Sequence, residues 1–245
     1  MPRRNTTFSE CHTLSLAWGS GDKLASRSMT RTIVNTIWGA AGIVVSEFLG
    51  YILHRLLHSG RIAWLSQSHM IHHLVLYGPW DPMRPGVDYR SATEGRARLG
   101  NVGLEWLVPG AAMLGTLRGV FSLMRVPRGQ QITFFTTSLL WSFVVFSYLH
   151  DRMHEKGFWM EGTPVLRRWF LRARDFHDIH HMALNNDGLM DRNFGIGFFV
   201  FDRLFGTRSE RCEKFNENGY ERALQRFAKV VGTEKKYTTR VVAGE

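Results

Sequence analysis

Four histidine clusters carry the chemistry of this chain. The sequence reads HRLLH at 54–58 and HMIHH at 69–73, and the same two patterns return as HDRMH at 150–154 and HDIHH at 177–181. These clusters use ten of the eleven histidines, and only His12 lies elsewhere. Residues at i and i+4, or at i, i+3 and i+4, share one face of a helix. Each cluster can therefore direct its imidazoles towards one point.

Imidazole nitrogens gathered in this way, with no cysteine among them, are typical of a transition-metal site. Isolated histidines more often cap helices or titrate at the surface, but a doubled HxxxH and HxxHH pattern has the spacing of metal motifs. We therefore predict one metal site that both halves of the chain share. Its predicted ligands are His54, His58, His69, His72, His73, His150, His154, His177, His180 and His181.

The first cluster follows an apolar stretch. Residues 32–53 are close to the roughly 20 residues that a helix needs to cross a bilayer. A buried helix of a soluble protein is the alternative. Glu47 and Tyr51 lie at helical spacing from His54, on the face that carries the first ligands. Because metal-bound histidines commonly donate their other ring N–H to a carboxylate, Glu47 either supports a ligand or is an acid solvated near the interface.

The second half repeats this arrangement. Residues 103–124 and 132–149 form two apolar blocks, and the second has no charge. The polar segment 125–131 between them predicts a tight connection and therefore a helical hairpin. The second block leads directly into His150. Each half of the chain thus delivers histidines from the end of an apolar helix.

The remaining segments are polar. Residues 1–31 predict a loosely ordered tail, and 208–245 a soluble C-terminal tail with an amphipathic helix near 219–231. Three prolines and two glycines at 77–86 exclude helix and central strand, so this segment forms an aromatic flap beside the metal or an ordinary turn. The domain that carries the site is predicted at 32–207.

Charge and cysteine content narrow the class of partner. The net charge of +10 comes with no basic-aromatic module for nucleic acid, and the basic residues mostly flank apolar blocks, which favours an anionic membrane surface. Cys11 and Cys212 are far apart and predict no disulfide framework. Of 31 Lys and Arg, six fall in 54–102 and seventeen in 150–245, which predicts a cytoplasmic site. A single span at 32–53 would instead place the basic residues of the tail on the other side.

Further polar residues near the clusters are candidates for holding the ligands in place. An aspartate or asparagine can satisfy backbone groups or accept a ligand N–H, although isolated ones are more often turn formers. The candidates of this kind are Asp178, Asp191, Asn193 and Asp202.

Together these residues resemble the fatty acid hydroxylase/sterol desaturase superfamily of membrane di-iron oxygenases. The resemblance covers roughly residues 44–207, and a lone HxxxH would be a weak signal, whereas this ordered set is specific. It includes Tyr51 ahead of HRLLH, Trp64 before the first HxxHH, the HDRMH and HDIHH clusters, and the ending NFG…FDRLFGT.

The resemblance implies an all-α integral membrane protein whose cytosolic helical cap carries a di-iron site. It also implies O2 as co-substrate, a separate electron donor of the cytochrome b5 or ferredoxin reductase type, and a fatty acyl, sterol-like or isoprenoid substrate. The membrane would be a bacterial inner membrane, or the endoplasmic reticulum in a eukaryote. We expect hydroxylation in preference to desaturation. Zinc can substitute for iron, and a membrane zinc hydrolase or a metal carrier are the alternatives, although no HExxH occurs.

Overall fold

The computed structural model describes residues 11–77, 98–99, 102–103, 107–211 and 214–228. The α-helices in chain order are α1 (Cys11–His58), α2 (Ala63–Ile71), α3 (Leu107–Leu123), α4 (Arg128–Ser142), α5 (Pro164–Met182), α6 (Val200–Leu204) and α7 (Glu217–Arg226). Short helical turns lie at His72–Leu76 and Phe143–Leu149, which are π-helical, at His150–Arg152, and at Trp159–Gly162, which is 3₁₀. Two-residue strands β1 (Arg98–Leu99) and β2 (Val102–Gly103) pair antiparallel.

The predicted all-α architecture is confirmed for the described residues, with the short β1–β2 pair as the exception. Ser28–His58 and Arg128–Arg152 are both long and apolar enough to cross a membrane, and Val108–Leu123 is a shorter apolar helix. The loosely ordered tail is a wrong prediction for residues 11–31, because α1 already begins at Cys11. Once a helix is nucleated, each further residue adds a backbone hydrogen bond, and no proline interrupts this segment.

Small and hydroxylated residues bring α1 and α4 together. Ser138 Oγ donates to the Gly42 carbonyl at 2.9 Å, and the Ser46 and Ser142 hydroxyls lie 2.7 Å apart. A Cβ added to Gly42 would lie 2.6 Å from the Phe134 carbonyl oxygen, so this close approach requires glycine. Small residues and interhelical hydrogen bonds are typical of helix pairs in membranes.

The helical hairpin is present, with a shorter connection than predicted. The predicted connection is 125–131, but α4 already begins at Arg128, directly after Pro127, so residues 128–131 are helical. Proline suits this position because it fixes φ and lacks only an N–H that a helix start leaves unpaired. The predicted amphipathic helix near 219–231 is confirmed as Glu217–Arg226. The predicted flap at 77–86 lies outside the described residues, except for Tyr77.

Two apolar cores pack the elements that carry the histidines. One contains Met70, Leu74 and Tyr77, and it packs α2 and its π-helical turn against Met190 and α7. The other contains Val145 and Leu149 of the second π-helical turn, which pack against Phe170 and Ala173 of α5. π-Helical turns change the direction of the side chains that follow them and occur frequently at functional sites. Here both turns adjoin histidine clusters.

Candidate metal centre

The structure brings nine of the ten clustered histidines together in two buried groups. Within each group the ring nitrogens that can bind a metal ion all lie within 4.8 Å of one another. The first histidine group consists of His54, His58, His69, His73 and His180. The second histidine group consists of His72, His154, His177 and His181. These two groups can hold metal ions and are compatible with a di-metal site.

The two halves of the chain exchange one ligand each. The first group takes its other members from HRLLH and the first HxxHH, but its fifth member is His180 of α5. The second group takes its other members from the second half, but it also contains His72. The middle histidine of each HxxHH therefore belongs to the group of the opposite half. The groups adjoin each other, since the His73 and His181 rings stack with centroids 3.9 Å apart.

The nitrogen spacing fits atoms that surround a common ion. Two nitrogens about 2.1 Å from one ion lie about 3.0 Å apart at right angles and about 3.4 Å apart in a tetrahedron. The Nε2 atoms of neighbouring ligands have this spacing: 2.9 Å for His58–His69, 3.0 Å for His58–His180, 3.1 Å for His72–His154, 3.0 Å for His154–His177 and 3.2 Å for His177–His181.

Hydrogen bonds among the imidazoles cannot satisfy all of these contacts. His58 Nε2 faces the Nε2 atoms of both His69 and His180, yet a ring nitrogen carries at most one proton. His73 is fully buried, and neither of its ring nitrogens has a hydrogen-bond partner among the described residues. A buried polar atom without a partner is costly, and a metal ion removes that cost for each nitrogen that binds it.

His150 lies between the two groups and belongs to neither. Its ring centroid is 4.8 Å from that of His72 and 4.7 Å from that of His177, but 6.2 Å from that of His54. Its buried Nε2 has no hydrogen-bond partner among the described residues. Within the repeated pattern His150 corresponds to His54, so it is positioned to complete the second group.

Backbone carbonyls fix the tautomer of three ligands. Nδ1–H of His54 donates to the Phe194 carbonyl at 2.6 Å, and Nδ1–H of His180 donates to that of Arg192 at 2.6 Å. His181 donates in the same way to the Tyr77 carbonyl at 3.1 Å. Because Nδ1 carries the proton in each ring, Nε2 presents its lone pair to the metal position.

A hydrogen-bond network holds the segment that carries the Phe194 carbonyl. The Asp202 carboxylate accepts N–H groups of Phe194 and Gly195, each at 2.7 Å, and the Thr207 hydroxyl at 2.8 Å. Since Thr207 donates its one proton to Asp202, Tyr51 must donate to Thr207 Oγ1, 3.0 Å away. Tyr51 and Asp202 therefore act on His54 through the backbone rather than by touching its ring.

Asn193 fixes the same segment from the other side. It adopts a positive φ of 52°, a conformation that asparagine tolerates better than most residues. Its amide donates to the carbonyls of Phe176 and Ser209 at 3.1 and 2.9 Å, and its Oδ1 accepts Ser209 N–H at 2.8 Å. These bonds join the segment to α5, which carries three of the ligands.

The other predicted carboxylate supports are Glu47, Asp191 and Asp178. Glu47 is buried, but its carboxylate accepts the Trp141 indole N–H at 2.7 Å and Phe198 N–H at 3.2 Å, so its bonds stabilise packing between α1 and α4 rather than a ligand. Asp191 pairs with Arg192 at 3.4 Å. Burial, with a smaller contribution from Asp175, raises the pKa of Asp178 to about 7 against the opposing charge of Arg174, and its buried Oδ1 has no hydrogen-bond partner among the described residues.

The histidines beyond the two apolar helices are neutral at pH 7. Burial, reinforced by neighbouring imidazoles, lowers their pKa values well below the ordinary value of 6.5. A metal ion binds only the unprotonated nitrogen, so these rings are ready to coordinate without first losing a proton. The residues concerned are His69, His72, His73, His177, His180 and His181.

No protein-family model, no curated protein and no solved structure matches this chain. The resemblance of its histidine motifs to a family therefore stays a prediction.

Sequence reasoning named Tyr51, Asn193 and Asp202, which act on the ligands through the backbone, but missed the groups that contact the ligand rings directly. Three of them are backbone carbonyls, which carry no side-chain signal. The Tyr77 ring also stacks on His154, with centroids 3.8 Å apart and planes 11° from parallel. Tyr77 lies four residues beyond the first HxxHH, and this spacing could have predicted its contact with a ligand.

Proposed function

We propose that this chain is a membrane-bound di-iron oxygenase that uses O2 to hydroxylate a C–H bond of a hydrophobic, lipid-like substrate. The observation that carries the proposal is the pair of adjoining, buried, all-histidine groups at the ends of two apolar helices. Zinc sites are almost always four-coordinate, and catalytic ones use three protein ligands. Five nitrogens in one group exceed that number, and iron accepts imidazole ligands.

Membrane insertion is supported by the outer faces of these helices. Only 28% of the most apolar window of each helix is buried, whereas the core helix of a soluble protein is mostly buried. Large apolar side chains are exposed along both, among them Ile37 at 62%, Val44 at 54%, Ile132 at 66% and Leu140 at 62%. Exposed apolar surface of this extent marks an interaction with a membrane or a partner.

The chain's own residues would do three things in this reaction. The histidines hold the metals with neutral ligands, and two bound irons supply the redox chemistry that oxygenation of an unactivated C–H bond requires. Burial of the groups excludes bulk water from the reacting atoms. Because His54 and His150 lie at the ends of apolar helices, a substrate can approach from the bilayer without leaving hydrocarbon entirely.

The test supplies iron(II), a reductase system of the ferredoxin or cytochrome b5 type, and ¹⁸O-labelled O2 to the membrane-embedded protein. Lipids are then analysed by mass spectrometry. We expect a product that carries one labelled oxygen, with His12→Ala as an active control and His72→Ala as an inactive one. Loss of two hydrogens without label would mean desaturation. Label from water, or turnover by the zinc form without O2, would mean a hydrolase.

We also propose that the histidine site faces the cytoplasm, where iron and reductant are available. The proposal rests on the number of Lys and Arg in the histidine-bearing regions. Met160→Cys, in a chain whose two native cysteines are replaced by serine, tests it. We expect no labelling from outside intact cells and rapid labelling after permeabilisation, whereas rapid labelling from outside would contradict the orientation.

A further inference from the structure

A cavity of about 390 Å³ opens between α5 and the segment that leads into α6. Its described lining residues include three arginines and several aromatic side chains, but no histidine and no acidic residue. It is therefore separate from both histidine groups. The lining residues that matter here are Arg172, Arg203, Arg208, Phe176, Phe198 and Val200.

The arginines of this cavity are held in place but only partly neutralised. Arg172 and Arg208 both donate to Glu210, and their guanidinium carbons lie 5.4 and 5.2 Å from the centroid of the Phe176 ring. Glu210, which lies outside the cavity wall, and the Asp202 carboxylate near Arg208 offset part of this charge, whereas Arg203 has no acidic partner among the described residues. The arrangement is suited to an anion.

Contacts of the same segment place the cavity near the histidine-bearing ends of the apolar helices. The Phe201 ring lies 5.3 Å from Phe48 of α1, almost three turns before the end of that helix at His58. The Phe198 ring stacks on Trp141 of α4 at 5.2 Å. Phe48 and Trp141 both belong to helices that are long and apolar enough to cross a membrane.

Apolar side chains surround the cavity on the outside. Phe198 is 42% exposed, Val200 56% and Leu204 70%. Arginines beside exposed apolar residues are the combination expected where a protein surface meets both the headgroups and the upper acyl chains of a bilayer. A soluble anion would make no use of the apolar side chains.

We propose that this cavity binds the phosphate of an acidic phospholipid, whose acyl chains lie on Phe198, Val200 and Leu204. Guanidinium groups bind phosphate oxygens through paired N–H donors, and the cytoplasmic leaflet supplies anionic lipid. The inference rests on the membrane insertion included in the proposed function, but it does not depend on the metals or the reaction. The lipid would fix the height and tilt of α5 relative to the bilayer.

The test titrates phosphatidylglycerol into the metal-loaded full chain in a neutral detergent and counts bound lipid by native mass spectrometry. Phosphatidylcholine and inorganic phosphate form the two comparison arms. Arg203→Gln is the test variant, and Arg226→Gln is the matched control, since Arg226 is an exposed arginine of α7 outside the cavity. Both changes remove one charge.

We expect retention of phosphatidylglycerol but not of phosphatidylcholine, and about fivefold weaker binding in Arg203→Gln with no change in Arg226→Gln. Equal retention of the two lipids, or equal losses in the two variants, would overturn the inference. Displacement of the lipid by millimolar inorganic phosphate would show a soluble-phosphate site and overturn it as well. A chain that keeps its metals but does not enter membranes would contradict both this inference and the membrane part of the proposed function. A membrane-inserted chain without lipid preference would contradict this inference alone.

Discussion

The two histidine groups use the same chemistry but differ in how the backbone holds them. In the first group, His54 and His180 each donate Nδ1–H to a carbonyl of the segment that begins at Arg192. In the second group, the described residues show one such bond, from His181 to the Tyr77 carbonyl. Tyr77 also stacks on His154, so a single residue supports two ligands of that group.

This difference shows that the identity of the ligands and the groups that position them are encoded separately in the sequence. The segment behind the first group is fixed by Asp202, Asn193 and Thr207, each with two or more hydrogen bonds. We infer that the first group is the more rigid of the two and holds its metal more tightly. The second group has His150 beside it, 4.8 Å from His72 and 4.7 Å from His177 between ring centroids.

The largest expected effects come from the two histidines that cross between the halves. His72→Ala removes a ligand from the second group, and His180→Ala removes one from the first. Each should lower turnover by at least about 1000-fold, because the proposed oxygenation needs both metals held in one geometry. Turnover and metal content are measured together, and His12→Ala should change neither. Full activity in either crossing variant would contradict a shared site.

Loss of the Asp202 hydrogen bonds that hold the Phe194 carbonyl should selectively weaken metal binding by the first group. Asp202→Ala removes the acceptor for Phe194 N–H and Gly195 N–H, so the carbonyl that orients His54 is no longer fixed. Losing such a supporting residue typically costs about 10- to 100-fold in metal affinity. Competition with a chelator measures the two affinities separately. Asp187, an exposed aspartate whose carboxylate lies 4.0 Å from Arg222, provides the control Asp187→Ala. Equal weakening of both metals would remove the distinction between the groups.

His150→Ala should have a smaller effect that falls on the second group. Since His150 lies outside the four nitrogens of that group, we expect its metal to be retained with an affinity about tenfold lower and turnover about tenfold lower. The first metal should be unaffected. A loss as complete as that of His72→Ala would make His150 an obligatory ligand. An unchanged protein would exclude it from the site.

In the metal-free protein, both groups should make the fold less stable at low pH. Their histidines outside the apolar helices have pKa values well below 6.5 when folded, so below about pH 6.5 the unfolded chain binds more protons than the folded one. The free energy of unfolding therefore falls as the pH is lowered, by about 1.4 kcal/mol per pH unit for each extra proton that the unfolded chain binds. We expect a lower melting temperature of the metal-free protein at pH 5.5 than at pH 7.5. An unchanged melting temperature would mean that the rings are exposed.

The sequence predicted the features of the fold and the site that depend on helical periodicity. Helical spacing predicted the apolar helices and the hairpin, and the doubled motif predicted which histidines would assemble. It could not predict that His72 and His180 exchange groups, because that depends on how α2 and α5 pack against each other. Its position on α1 also made Glu47 a candidate either for ligand support or for an acid solvated near the interface, whereas its carboxylate accepts hydrogen bonds from Trp141 and Phe198. Carbonyl anchors have no sequence signature, since every residue carries one.

Metal stoichiometry tests the central claim most directly. The full chain is loaded with iron(II) under anaerobic conditions, freed of excess metal, and analysed for iron and protein by elemental analysis. Two histidine groups, each with one histidine from the other half of the chain, predict two irons per chain in the native protein. They predict one tightly bound iron in His72→Ala. A single iron in the native protein, or two retained in both His72→Ala and His180→Ala, would contradict a di-metal site built from both halves of the chain.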